Sequence, residues 1–185
     1  MSPQILPNEV FINQKVFLIN GKPRVYQVLD IEKNILFELT ENKQYNLWQL
    51  FFQSKKPFTM EFEYNGNQFK FIKKSKLSSD MLGIFDKNNN LIALIKKDFL
   101  KDIEIFDKDE KNLYTIKSTY AKRNFKIEKS NQEIASISKE FAGLAKEIFT
   151  DSDNFCIKLP DNISLEVQMV FIATSIFIDC LYYDD

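Results

Sequence analysis

Four lysines lie close together in one segment of the chain. The stretch Lys70-Phe-Ile-Lys-Lys-Ser-Lys76 contains Lys70, Lys73, Lys74 and Lys76. Each ammonium group near an anionic membrane contributes about 1 kcal/mol to binding, so the segment is a candidate for lipid contact. Lysine also keeps exposed edge strands from aggregating, and this alternative stays open. Two further sets are weaker candidates for the same role: Lys96, Lys97 and Lys101, and Lys122, Arg123 and Lys126.

The composition excludes most familiar catalytic chemistry. The chain has no His, which removes Ser-His-Asp and Cys-His catalysis, His-based zinc sites and His proton relays. Glu61 and Glu63 alternate along one strand face and are spaced for solvent. We therefore expect a protein that is not an enzyme. The glycines are too far apart to form a phosphate-binding loop: Gly21, Gly66, Gly83 and Gly143.

The two cysteines, Cys156 and Cys180, lie in apolar runs and form no CxxC pair. This spacing suggests neither a metal cluster nor a disulfide framework, and Cys156 is expected to be a buried, inert thiol. The first residues lack the basic and apolar regions of a signal peptide. A reducing, cytoplasmic location is therefore expected.

The charged residues are unevenly distributed. Lys and Arg together number 25, of which only Arg24 and Arg123 are Arg, against 26 Asp and Glu. Residues 151–185 contain seven acidic residues and one basic residue, so the rest of the chain is mildly basic. Lysine is poorly suited to bidentate readout of base edges, so we expect no sequence-specific binding to nucleic acid.

Short alternating segments predict a strand-rich domain. The turn centres near Gly66, Asn89, Asp109 and Asn131 are 23, 20 and 22 residues apart, which indicates a repeated two-strand unit. With 44% hydrophobic residues and no linker, the chain predicts one domain over residues 1–185. Residues 45–53 are ambiguous between strand and helix. The predicted strands are Val10–Ile19, Arg24–Ile31, Ile35–Leu39, Phe58–Tyr64, Gln68–Lys74, Met81–Phe85, Leu91–Ile95, Ile103–Phe106, Leu113–Ile116, Phe125–Ile127, Ile134–Ile137 and Phe155–Leu159.

The C-terminal apolar run has a different pattern. It extends for 17 residues from Val167 to Tyr183 and contains Asp179, so it is short and interrupted for a membrane span, which needs about 20 apolar residues. A helix that is apolar all round must be buried on every side or lie in lipid. A closed antiparallel barrel of about a dozen strands would enclose such a helix. The residues expected in this central helix include Val167, Val170, Phe171, Ile172, Ile176, Phe177 and Ile178.

The same region resembles the C-terminal part of the phospholipid scramblases. Residues 137–155 carry an aromatic, a small residue, Gly and Leu, then Lys-Glu, then Phe-Thr-Asp-Ser-Asp-Asn-Phe, which is similar to the family pattern. The similarity continues to Ile178-Asp179 and the following tyrosines, and covers about the last 48 residues. Pro57-Phe58-Thr59 matches a Pro-Phe-Thr that begins a strand in that family.

The resemblance implies the tubby-like fold shared with LURP-one-related proteins, a twelve-stranded barrel around a hydrophobic helix. It also implies calcium-stimulated, ATP-independent, bidirectional movement of phospholipids and peripheral attachment to a membrane. Tubby-like domains can bind phosphoinositide headgroups through a basic surface, which here would be the segment of Lys70. The Pro-rich tail and palmitoylated Cys-rich stretch of mammalian members have no counterpart in this sequence.

The resemblance places a calcium segment at residues 151–162. Asp151 and Asp153 occupy the first and third positions of an EF-hand pattern, but Phe155, Cys156 and Asn162 stand where that pattern needs an oxygen ligand, a Gly and a bidentate acid. A smaller Ca²⁺ site would use Asp151, Asp153 and Asn154. The alternative is a polar turn before a strand.

These observations favour a phospholipid scramblase-like protein at the cytosolic face of a membrane, with anionic phospholipids as partners. A module that binds lipid headgroups or proteins without transporting lipid is the main alternative. A cytosolic domain that never meets lipid is a third. Asp179 is expected to fix the helix by hydrogen bonding or to pair with a Lys at the barrel rim.

Overall fold

In the computed structural model, alternating side chains form one antiparallel sheet of 12 strands. The structure describes residues 6–15, 23–42, 57–75, 79–119, 122–139 and 154–183. The strands are β1 (Glu9–Lys15), β2 (Val25–Leu29), β3 (Ile35–Thr40), β4 (Phe58–Tyr64), β5 (Asn67–Ser75), β6 (Ser79–Asp86), β7 (Leu91–Asp98), β8 (Ile103–Phe106), β9 (Asn112–Ser118), β10 (Asn124–Lys129), β11 (Gln132–Ser138) and β12 (Asn154–Lys158).

The sheet curls into a nearly closed barrel. Its strand order is β3-β2-β1-β12-β11-β10-β9-β8-β7-β6-β5-β4, so β12 lies between β1 and β11 and the other neighbours follow the chain. The two outer strands meet through one bridge between Glu41 and Met60. The Asn42 N–H donates to the Thr59 carbonyl beside that bridge at 2.8 Å. Closure of this kind removes the exposed edges that would otherwise pair with other chains.

One helix, α1 (Leu165–Tyr182), occupies the barrel lumen. Thirteen of its residues are buried, and they join the inward side chains of the strands in one apolar core. Two aromatic partners of the helix lie on neighbouring strands: Phe171 packs edge-on against Tyr114 of β9, and Tyr182 stacks on Phe125 of β10. The mainly β fold with a central hydrophobic helix, predicted from the sequence, is confirmed.

The predicted strands are all present, with changes at their ends. The strand predicted over Arg24–Ile31 ends at Leu29, because Asp30 begins a turn and leaves Ile31 40% exposed. The strand predicted over Leu91–Ile95 continues to Asp98, since Lys96 and Lys97 pair with β8. The structure describes β1 as far as Lys15, and residues 16–19 of the first predicted strand lie outside the described residues. The ambiguous stretch 45–53 also lies outside them.

Because neighbouring strands are antiparallel, their connections gather at two ends. We call one the turn end; it contains the connections 30–34, 65–66, 87–90, 107–111 and 130–131. We call the other the basic end; its described connections include residues 99–102 and 122–123. Helix α1 begins at the turn end and finishes at the basic end, where the Tyr183 hydroxyl donates to the Lys122 carbonyl.

Three connections at the turn end repeat one hydrogen-bonded design. In each, an Asp carboxylate accepts the backbone N–H groups two and four residues later, at 2.8–2.9 Å. The residue three positions after the Asp has a φ between 60° and 69°, a left-handed conformation that a three-residue hairpin loop requires. The Asp residues are Asp30, Asp86 and Asp107, and the left-handed residues are Lys33, Asn89 and Glu110.

Candidate functional site

Helix α1 is the most unusual candidate, because it is apolar on all faces. The Ser164 side chain accepts the Val167 N–H at 3.4 Å and caps the helix start, and the acidic Glu166 lies in the first turn. By length and composition the helix could cross a membrane, yet most of it is buried inside the barrel. Of the residues expected in the central helix, Val167 is half-buried and the others are buried: Val170, Phe171, Ile172, Ile176, Phe177 and Ile178.

Polar contacts hold the helix at the turn end. The Gln168 side chain is 1% exposed, accepts the Leu6 N–H at 3.0 Å and donates to the Leu6 carbonyl at 3.3 Å. A buried amide without such partners would destabilise the fold, so this pair fixes where the helix starts relative to the strand that follows Leu6.

A second polar contact holds the helix near the basic end. The Tyr26 hydroxyl of β2 donates to Asp179 Oδ2 at 2.8 Å, and both residues are almost fully buried. The Cys180 Sγ lies 3.9 Å from the same hydroxyl. Burial, with the negative charge of Asp179 adding to it, raises the pKa of Tyr26 well above its usual value. Of the two roles expected for Asp179, hydrogen bonding is therefore observed.

Aromatic and cationic groups cover the helix end. Lys122 Nζ lies 4.3 Å from the centre of the Tyr182 ring, and Lys139 Nζ lies 3.6 Å from the centre of the Tyr183 ring. Phe155 of β12 meets Tyr183 edge-on at 5.7 Å. Cation–π contacts of this kind tie the last helical turn to the connections after β9 and β11.

The four lysines of the segment 70–76 do not share one surface. Lys70 and Lys74 point outward, and Lys70 Nζ lies 2.8 Å from Glu61 across β4 and β5. Lys73 has the strand parity of Phe69 and Phe71, so its side chain points inward, is 1% exposed and pairs with Asp80 at 3.5 Å. The expectation that Lys73 belongs to an outer lysine surface is thus corrected. Lys76 lies outside the described residues.

A shallow depression of about 410 Å³ beside Lys70 has the wrong charge for an anionic headgroup. Its lining includes the carboxylates Glu61, Glu63 and Asp86 as well as Lys70 and Lys87. The acidic groups would repel a phosphate, so this depression does not extend the lysine surface.

The predicted calcium residues are only partly described. Asp151 and Asp153 lie outside the described residues, and Asn154 begins β12, where it pairs with Asn13 of β1. Within the described ranges, the acidic and cysteine residues form no cluster of three that could hold a metal ion. A Ca²⁺ site at Asp151, Asp153 and Asn154 therefore stays a prediction.

Cys156 has the environment of a structural thiol. Its side chain is 5% exposed, and Sγ donates to Glu9 at 3.2 Å across β12 and β1. Burial and the hydrogen bond to Glu9 raise the pKa of Cys156 to about 12. Because the thiolate is the nucleophilic form, this thiol is unreactive at neutral pH, as the sequence suggested.

Two exposed apolar residues were missed in the sequence. Phe99 and Leu100 lie at the tip of the connection between β7 and β8, with 84% and 90% of their surface exposed. The sequence analysis noted the neighbouring Lys96, Lys97 and Lys101 but not this pair. The available signal was an apolar dipeptide between two strands where a polar turn is expected.

Comparison with known protein families gives a match over most of the chain. The family model named Scramblase matches residues 15–185. The chain therefore belongs to the scramblase family.

Individual relatives share short segments with this chain. Phospholipid scramblase 2 of Bos taurus is 35% identical over 51 residues, which cover 28% of this chain and 17% of that protein. Phospholipid scramblase 1 of Homo sapiens is 30% identical over 63 residues, or 33% of this chain and 20% of that protein. The aligned segment thus spans about a fifth of the curated relatives' length. No solved structure matches the chain.

Proposed function

We propose that this chain is a phospholipid scramblase-like protein that associates with the cytosolic face of a membrane. In this proposal it promotes bidirectional movement of phospholipids without ATP and without covalent catalysis. The family match over residues 15–185 carries the proposal, and the matched relatives are named phospholipid scramblases. The long apolar helix is a second feature suited to a membrane protein.

The enclosed helix sets a condition on any transport mechanism. Lipid headgroups need a polar path through a membrane, whereas the interior of this barrel is filled by apolar side chains and α1. Movement of lipid would require release of the helix, an oligomer or a partner. Release would break the Gln168–Leu6 and Asp179–Tyr26 hydrogen bonds.

The burial of α1 favours a second candidate function. A barrel that keeps its helix inside would be a module that binds anionic lipid headgroups, including phosphoinositides, or proteins, and transports no lipid. A headgroup-binding module would share anionic phospholipids as partners with the first candidate, and neither candidate involves sequence-specific nucleic-acid binding. They differ in whether lipid exchange between leaflets occurs.

A leaflet-exchange assay separates these two candidates. Vesicles with a fluorescent phospholipid in both leaflets are reconstituted with the full chain, and dithionite is added with and without Ca²⁺. Loss of fluorescence beyond the outer-leaflet fraction is expected for a scramblase. A plateau at that fraction under both conditions overturns the transport proposal and leaves the binding module.

A pair of variants tests the requirement for helix release. Tyr26→Phe removes the hydroxyl that holds Asp179, so it should speed lipid exchange if the helix must leave the barrel. Asp86→Ala is the matched control, since it weakens a turn that does not contact the Tyr26–Asp179 pair. Equal rates for the two variants would contradict helix release as the mechanism.

Direct contact with lipid by the outer lysines is a further part of the proposal. Lys74 is exposed at the basic end, and Lys87 is an exposed lysine at the turn end. Lys74→Ala should weaken flotation with anionic vesicles about fivefold, the equivalent of about 1 kcal/mol, while Lys87→Ala should leave it unchanged. The proposed Ca²⁺ ligands Asp151, Asp153 and Asn154 are tested by adding Ca²⁺ to an Asp151→Asn, Asp153→Asn variant in the exchange assay.

A further inference from the structure

The connection between β7 and β8 exposes two large apolar side chains to water. Phe99 and Leu100 are the central residues of a β-turn in which the Lys101 N–H donates to the Asp98 carbonyl at 3.2 Å. These two residues are 84% and 90% exposed, more than Ile31 (40%) and Ile35 (55%) at the opposite end of the barrel. Exposed apolar surface of this kind in a folded domain commonly marks an interaction site.

Neither turn geometry nor packing explains this pair. Central turn positions favour Gly, Pro, Asn, Asp and Ser, and other connections of this barrel use such residues, as in Asn65-Gly66 and Ser130-Asn131. Phe99 and Leu100 also contribute little to the core, because most of their surface lies in water.

Polar contacts behind the tip hold it in a defined shape. Lys101 Nζ lies 3.3 Å from the Asp98 carboxylate, and Lys97 Nζ donates to the Lys101 carbonyl. The two strands that carry the tip pair as far as Lys97 and Ile103. The apolar side chains are therefore presented on a short, braced projection.

The charge of the basic end as a whole is positive among the described residues. Solvent-accessible basic side chains outnumber acidic ones at the basic end, whereas acidic ones prevail in the connections of the turn end. Lys122 of the neighbouring connection lies close enough to contribute to lowering the pKa of Lys97, for which burial is the main cause. The basic side chains include Lys15, Arg24, Lys74, Lys96, Lys97, Lys101, Lys122, Arg123 and Lys139, and the acidic ones include Glu38, Asp80, Asp98, Asp102 and Glu104.

We infer that Phe99 and Leu100 form a docking tip that inserts into an anionic lipid bilayer, with the surrounding basic side chains contacting the headgroups. This inference rests on the membrane association in the proposed function and names the part of the barrel that enters the membrane. An apolar side chain in the acyl region combined with lysines at headgroup level is a physically favourable arrangement, since each group reaches the environment that suits it.

A bilayer suits this tip better than a protein partner. A stable protein interface buries about 800 Å² on each side, whereas one Phe and one Leu on a convex turn offer roughly a few hundred Å². A bilayer needs no complementary pocket, and an anionic one also matches the charge of the basic end.

A fluorescent label at the tip tests the inference directly. Leu100→Cys and, as control, Ile35→Cys are labelled with an environment-sensitive nitrobenzoxadiazole probe; Ile35 is 55% exposed at the turn end. The native Cys156 and Cys180 are 5% and 1% exposed, so labelling is selective for the new thiol. On vesicles of phosphatidylcholine and phosphatidylserine, the Leu100→Cys probe should brighten severalfold and shift to the blue, while the Ile35→Cys probe should not change.

The outcomes distinguish this inference from the proposed function. If the chain floats with vesicles or exchanges lipid but the tip probe is silent, the docking tip is wrong and the proposed function stands. A responding tip probe without leaflet exchange supports the tip and overturns transport. If neither probe changes its fluorescence and the chain does not float with vesicles, both the docking tip and the proposed membrane association are wrong. A probe response that rises with protein concentration in the absence of vesicles identifies a second copy as the partner and overturns the lipid assignment.

An unlabelled double variant gives an independent check. Phe99→Ser with Leu100→Ser should weaken partitioning onto anionic vesicles by about 10- to 100-fold, since two inserted side chains are lost. The matched control is Ile31→Ser with Ile35→Ser, which should change partitioning less than twofold. Equal affinities of the two double variants would overturn the inference.

Discussion

The two ends of the barrel are built from different interactions. At the turn end, an Asp side chain closes each of three connections through backbone N–H groups within four residues of it. At the basic end, contacts join residues far apart in sequence, such as Tyr26 with Asp179 and Lys122 with Tyr182. The connections of the turn end are therefore specified locally, whereas the helix is fixed by long-range contacts at both ends, Gln168 with Leu6 at the turn end and Tyr26 with Asp179 at the basic end.

The ends also differ in what they present to solvent. The turn end has short polar loops in which acidic residues prevail, for example Asp30 and Glu32 beside Ile31. The basic end presents Phe99 and Leu100 among lysines. Local turn chemistry secures one end of the fold, and the other end carries the surface that we propose to face lipid.

The largest expected effect is on the stability of the helix core. Unlike the connections at the two ends, both halves of α1 should contribute equally to this stability. Phe171 lies in the half of α1 near the turn end and Phe177 in the half near the basic end, and both are 0% exposed. Each change to Ala should lower the free energy of unfolding by about 3–5 kcal/mol. Urea unfolding of both variants measures the effect. A much smaller loss for Phe177→Ala would show that the helix is held mainly at the turn end.

An intermediate effect is expected at the contact between helix and barrel near the basic end. Tyr26→Phe removes the donor to a buried carboxylate and should cost about 1.5–3 kcal/mol, or about 3–12 °C in Tm. Thermal unfolding followed by circular dichroism measures it. An unchanged Tm would mean that the Tyr26–Asp179 contact does not anchor the helix.

The same contact predicts a pH dependence. Burial raises the folded-state pKa of Tyr26 above the unfolded value of about 10. The group therefore contributes its full stability below pH about 10 and loses it as the pH rises further. The stability difference between the wild-type chain and Tyr26→Phe should shrink above pH about 10. A constant difference across that range would contradict the burial of the hydroxyl.

The smallest expected effect concerns the turn end at acid pH. Hydrogen bonds, first from the side chains of Asn34 and Asn90 and then from backbone N–H groups, lower the pKa of Asp30 and Asp86 respectively. Their stabilisation is present above the unfolded pKa of about 3.9 and is lost as the pH falls below it. The Asp30→Asn, Asp86→Asn variant should lose less stability than the wild-type chain between pH about 5 and 2. Parallel stability curves would contradict a role for these carboxylates in closing the turns.

Much of the fold could be predicted because its signals are local. Alternation located the twelve strands, and Asn65-Gly66 marked a turn that the structure shows with positive φ at both residues. The run from Val167 was apolar on every face, which predicted a helix that is either buried on every side or in lipid, and the structure shows it buried. Strand ends were less accurate, as at Ile31, because the Asp30 side chain competes with strand pairing there.

The candidate site was harder to predict, because it depends on which side of the barrel each residue faces. Lys73 was grouped with its neighbours although its parity with Phe69 and Phe71 places it inside. The position of β12 between β1 and β11 could not be read from sequence order, so the partners of Cys156 were also hidden. Phe99 and Leu100 lay between two predicted strands, and their exposure became clear only from the turn that begins at Asp98.

Hydrogen–deuterium exchange of the wild-type chain, with and without anionic vesicles, tests the difference between the two ends most directly. The account predicts that peptides covering residues 96–102 and 119–124 become protected on vesicles, while peptides covering residues 30–35, 86–91 and 107–112 exchange as in solution. Protection of the turn-end peptides, or no protection at either end, would contradict the assignment of the basic end as the lipid-facing side.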